Sequence, residues 1–196
     1  MRKITLSFFL LISFIISANA QIESLAGPRI GTVFISSSLA SGFLNGEAYL
    51  FDDKMPKDYT DGKGTVTSLY GWQFESRFAD GGNVTGIVEW IVLVGGMEKG
   101  LFLPSASSII GARMDNGLEF GVGPNLSLSG IGMVFGLGYN FKSGNLNLPV
   151  NLVFMPGRKL TGNIETWDND GNYTYEEYDY NSGSRISIMI GFNMSK

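Results

Sequence analysis

The residues with the most obvious chemical capacity lie between Thr166 and Glu177, in the run Thr-Trp-Asp-Asn-Asp-Gly-Asn-Tyr-Thr-Tyr-Glu-Glu. Calcium is held by several oxygens arranged around a sharp glycine turn. Asp168, Asp170, Gly171 and Glu177 fall at the third, fifth, sixth and twelfth places of an EF-hand-like loop. Thr166 and Asn172 are the further oxygen donors of this candidate calcium site. The first place holds Thr where the motif has Asp, and no flanking helices are evident, so an acidic, solvated loop is the alternative. Trp167, Tyr173, Tyr175, Tyr178 and Tyr180 share the segment. They form either a contact surface for a protein or surface partner, since tyrosines are amphipathic and cheap to order, or an extension of the flanking strands.

A second group is Glu75, Arg77, Glu89, Arg113, Glu119 and Arg185. In a barrel reading of the alternating segments all six face one interior together. They make an ion path or an internal salt-bridge network, and the network is favoured because a buried charge has to be paired. The chain has no histidine and no cysteine. That removes Ser-His-Asp and Cys-His nucleophiles, His-ligated zinc, a His general base and any disulfide. No catalytic residue is assigned, and the expectation is a non-enzymatic protein with no cofactor beyond the candidate calcium.

The elements that must hold these residues are strands. From Leu118 to Leu128 every second residue is apolar or Pro, opposite Glu119, Gly121, Gly123, Asn125 and Ser127. After Ser129-Gly130 the pattern resumes, with Ile131, Met133, Phe135, Leu137, Tyr139 and Phe141 facing one way. A period of two is the strand period. These runs last about 11–12 residues, against about 5–6 for most soluble strands. Transmembrane strands need about 9–11 residues and alternate apolar-out, polar-in. Similar alternation marks 66–78, 84–94, 106–114, 146–154 and 185–194, and Ile30 to Ser36 is a strand of ambiguous facing.

Eight strands result: an all-β, antiparallel, up-and-down transmembrane barrel, its interior just filled by side chains. Turns at 79–83, 115–117 and 143–145 are short, while the connections at 37–65 and 157–183 are the long outer loops. Pro124 and Pro149 interrupt strands that closure makes central, and bulges are expected there.

Met1-Arg2-Lys3, an uncharged apolar run and Ala18-Asn19-Ala20 read as a cleaved signal peptide over 1–20, followed by a single domain over 21–196. The formal net charge is −4, and near −6 without Arg2 and Lys3. That balance disfavours nucleic acid as a partner. Outer-membrane lipid is the expected surrounding, and a monomer is favoured.

Gly71–Glu75, Gly95–Ser105, Asn116–Leu128 and Asn145–Asn151 give the chain a resemblance to the small eight-stranded outer-membrane barrels, the class of OmpX and the OmpA transmembrane domain. Most closely it resembles uncharacterised outer-membrane β-barrel proteins of Bacteroidota. The resemblance implies the barrel and the bacterial outer membrane, and no activity. The chain departs from the family's aromatic ending, since Phe192 is followed by Asn-Met-Ser-Lys. The functional expectation is a structural or surface-binding role through acidic outer loops. The alternatives are a narrow channel, a membrane enzyme acting on lipid or peptide, and a soluble periplasmic carrier of the lipocalin kind.

Overall fold

The computed structural model describes residues 24–47, 63–167 and 173–194. The expected leader, most of the first long loop and the tip of the candidate calcium loop lie outside the described residues. The strands are β1 (Ser24–Ile35), β2 (Thr65–Asp80), β3 (Val84–Gly95), β4 (Leu103–Met114), β5 (Leu118–Ser127), β6 (Gly130–Ser143) and β7 (Leu146–Met155). They continue with β8 (Lys159–Trp167), β9 (Tyr173–Asn181), β10 (Arg185–Gly191) and the two-residue β11 (Asn193–Met194). A short helix, α1 (Leu39–Leu44), follows β1.

β1 to β7 pair in sequence, β10 pairs with β7, and β1 pairs with both β2 and β10. All pairings are antiparallel, so the ring is a closed eight-stranded barrel as expected. β8 and β9 pair only with each other. The second long loop is therefore a two-stranded ribbon standing apart from the ring.

Closure divides side chains into two populations. The outward row includes Phe74, Trp90, Ile110, Leu126, Phe135 and Ile188, all exposed. The inward row fills the lumen in layers. Near the short turns lie Asn140, Asn147 and Asn193, then the charged residues, all buried. Mid-barrel is an apolar layer of Ile91, Leu93, Ile109, Val134 and Met189. At the opposite end Val33 and Ile35 pack against Leu44 of α1. A capping box holds α1 in place: the Ser41 amide donates to Ser38 Oγ (3.2 Å), and the Ser38 amide donates to Ser41 Oγ (2.9 Å).

The expected bulges at Pro124 and Pro149 are absent. Both prolines keep register, facing Met133 and Asn140 on β6. Instead, a ladder is interrupted on one side: β4–β5 between Ser107–Asn125 and Ile110–Val122, and β7–β10 beyond Val150–Ile190. A missing N–H removes one bond from one edge, and the strand absorbs it without an extra residue. The register shift lies between Arg77 and Ala79, where Phe78 is the additional residue and its ring covers Gly86.

Glycine matters most where a Cβ would strike the backbone of the neighbouring strand, as at Gly71 against the Val92 carbonyl oxygen, while a Cβ at Gly136 meets nothing closer than 3.8 Å. Gly71→Ala is therefore expected to destabilise the barrel by about 1–3 kcal/mol through overpacking. Gly136→Ala should be near neutral, and urea unfolding of the two variants in lipid vesicles compares them directly.

Candidate functional site

The lower interior is a charge cluster centred on Arg113. Its Nη1 and Nη2 donate to the two carboxylate oxygens of Glu75, each at 2.6 Å, and its Nε donates to Glu119. The register explains the assembly: Arg113 stands directly opposite Glu119 across β4–β5, and Glu75 opposite Glu89 across β2–β3. Like charges facing each other across a ladder repel, and Gln73 mediates. Its Nε2 donates to Glu89 (2.5 Å), and its Oε1 accepts from Arg29 Nε (2.6 Å). Arg29, Gln73, Glu75, Glu89, Arg113 and Glu119 are all buried. Three carboxylates thus lie near two guanidiniums: the Arg113 fork binds Glu75 and Glu119, while Arg29 bonds Gln73 through Nε and its buried Nη1 and Nη2 have no acceptor among the described residues.

Of the six charges read from the sequence, four meet here: Glu75, Glu89, Arg113 and Glu119. Arg77 is half-buried beside the Phe78 bulge. Arg185 stands apart, at the opposite end of the lumen, where its Nη2 donates to Ser129 Oγ. Arg29 and Gln73 complete the cluster and were not singled out by sequence. The usable signal for Arg29 was parity: Leu25, Gly27, Arg29, Gly31, Val33 and Ile35 share one side of β1, opposite Ile30 and Phe34.

The turn between β3 and β4 forms a second polar constellation. Glu98 accepts from Thr67 Oγ1 (2.5 Å), from the Ser68 amide (3.2 Å) and from Ser68 Oγ. Lys99 Nζ donates to Thr65 Oγ1 (2.7 Å) and Asn45 Oδ1 (3.4 Å), joining this turn to the loop after α1. The Ser68 and Thr67 hydroxyls hold the Glu98 carboxyl well below its ordinary value, at about 2.

In the β8–β9 ribbon, Thr166 pairs with Thr174 and Glu177 with Asn163, three positions further along. Trp167 stands opposite Tyr173, Tyr175 opposite Glu165, Tyr178 opposite Gly162 and Tyr180 opposite Leu160. Asp168, Asp170 and Asn172 lie outside the described residues. Among the described residues no group of three acidic side chains is placed to hold a metal.

Fold and interior together define a class: a closed, side-chain-filled, eight-stranded antiparallel barrel with an apolar exterior. No protein-family model matches the chain, and no curated protein matches it.

Two outcomes follow. Arg113→Leu strands Glu75 and Glu119, and is expected to cost about 3–5 kcal/mol; Glu75→Gln in the same background should recover part of that loss in urea unfolding. For Glu98, the lowered value means that its contribution to stability is present above the ordinary carboxyl value. That contribution is lost as pH falls from there towards about 2. A carbon-13 titration of the Glu98 carboxyl should therefore show a midpoint near 2, moving up towards the ordinary value in Ser68→Ala.

Proposed function

We propose that this chain is a non-enzymatic outer-membrane β-barrel whose role is structural or surface-binding, exercised through its acidic outer connections. The observation that carries the reading is the outward face. Between the strand ends that face holds no charged side chain, and large apolar residues are exposed on every barrel strand, with Ile110 at 61% and Leu126 at 59%. Soluble monomers rarely expose contiguous apolar patches beyond a few hundred Å². A hydrocarbon surround gives such a belt its partner, and a closed ring is one of the two backbone forms that hydrocarbon permits.

The connections support the same orientation. Those at 81–83, 115–117 and 144–145 are tight, while α1, the Glu98 turn and the β8–β9 ribbon all lie at the opposite end. Short inner turns and long outer loops are the pattern of outer-membrane barrels. The leader-like start and the resemblance to small outer-membrane barrels agree with it. A carrier of the lipocalin kind would turn its greasy row inward, and here that row is outside. Against a channel stands the buried apolar layer at mid-barrel, since eight strands leave room only for side chains. The absence of a free strand edge in the ring favours a monomer.

Ile110 tests the lipid-facing reading. It lies mid-strand on β4, between Val88 and Val122. In lipid, Ile110→Arg should cost about 2–4 kcal/mol, read from urea unfolding in vesicles and from loss of the fast-running unheated band on electrophoresis. An unchanged stability, with the variant purifying from the soluble fraction, would reverse the reading.

A further inference from the structure

The loop end of the lumen differs from the charge cluster below. A cavity of about 100 Å³ opens there, walled by Val33, Ile35, Phe43, Leu44, Leu69 and Leu103, with α1 forming one side. A second cavity of about 80 Å³ lies beneath it, against Ile91, Ile109, Val134 and Met189. Val33, Leu69, Ser105 and Arg185 line both, so the two are adjacent levels of one recess. Arg185 is the single charged side chain lining either, among the described residues.

Arg185 differs from Arg113 and Arg29 in having no carboxylate partner among the described residues. Arg113 has two carboxylates, and Arg29, although its Nη1 and Nη2 have no acceptor among the described residues, lies within the field of three. Arg185 has one hydroxyl, Ser129 Oγ, while its buried Nε has no acceptor among the described residues. A guanidinium carries five N–H donors in a planar fork, and a charge withdrawn from water requires an opposite charge. A mainly apolar recess, with Ser105, Ser107, Ser127 and Asn125 also in its wall and a guanidinium without a carboxylate at its junction, is complementary to a carboxylate attached to an apolar body.

We infer that the loop end of the barrel is a binding site for a small hydrophobic monocarboxylate. The carboxylate pairs with Arg185, and a body of about six carbons lies in the recess that the two cavities form together. Size sets the class: an apolar cavity of about 150 Å³ accommodates benzene, whereas drug-sized ligands need about 300 Å³ or more. Phospholipids and oligosaccharides are too large. The site lies inside the ring and does not depend on whether lipid or water surrounds it.

The probe is benzoate, with hexanoate as the aliphatic counterpart, titrated against the full-length barrel in lipid nanodiscs. Binding is read from the Arg185 Nε–H resonance and from the melting temperature. Benzoate should bind saturably, benzyl alcohol and acetate much more weakly, and Arg185→Gln should weaken benzoate by about tenfold or more. Leu44→Trp keeps the arginine but fills the cavity, and should abolish binding while the barrel retains its heat-shifted mobility. Failure of wild type to bind benzoate and hexanoate would overturn the inference. So would equal binding by Arg185→Gln, or benzyl alcohol matching benzoate. If benzoate binds only after Asp52, Asp53, Asp58 and Asp61 are changed to Asn, the carboxylate that Arg185 takes is the chain's own, and the inference is again overturned.

Discussion

A side chain on a closed ring of strands has two places to go, and the rest of this structure depends on that constraint. Every barrel strand sends alternate residues into a lumen that eight strands make only as wide as its contents. The other residues go to the outside. Inward positions must therefore be small, apolar or mutually neutralising, and outward positions must suit one surround. Gly27, Gly71, Gly123 and Gly191 are inward or lumen-adjacent positions where even a Cβ would strike neighbouring backbone or Arg29. At these four positions glycine is what the close approach of the neighbouring strand or of Arg29 requires.

Within that limit the lumen separates into two chemistries. Towards the short turns, charges are densely cross-linked through Arg113 and Gln73. Towards the loops, packing is looser and more apolar, and the two adjoining cavities have, among the described residues, one charged side chain, Arg185. The mid-barrel layer of Ile91, Ile109 and Val134 divides them.

The barrel itself was legible because alternation over 118–142 is clean: one row almost wholly apolar, the other almost wholly glycine or polar. Four members of the charge cluster followed from the same parity. Arg29 did not, because β1 mixes Leu25, Gly27 and Val33 on the inward side with Ala26, Pro28 and Thr32 on the outward side, so neither row declares itself. α1 was missed because a helix of one and a half turns has no period to read, although Ser38 and Ser41 are spaced as a capping box. The β8–β9 ribbon was legible only as an alternative, the extension of the flanking strands, because the sequence of β9 mixes tyrosine with acidic residues on both of its rows. The proline bulges were expected from the lost donor alone. What decides the outcome is which neighbouring strand that donor faced, and this is a property of the ladder. Pairing between Arg113 and Glu75 was likewise beyond a one-dimensional reading, because it joins strands that are not neighbours.

β10 has a consequence in time as well as in space. It is hydrogen-bonded on one side to β7 and on the other to β1, with Arg29 meeting Gly191 across 162 positions of chain. Each other ladder of the ring joins strands adjacent in sequence and is available soon after synthesis. The ring alone waits for the last strand, and closing so long a loop is entropically the slowest contact to make. Until then β1 and β7 each present a full unpaired edge and the apolar row has no cover, which is the condition under which strands pair with the wrong chain. A growing chain of this design is safest in the hands of an escort that masks those two edges, and it completes itself in one late step rather than by degrees.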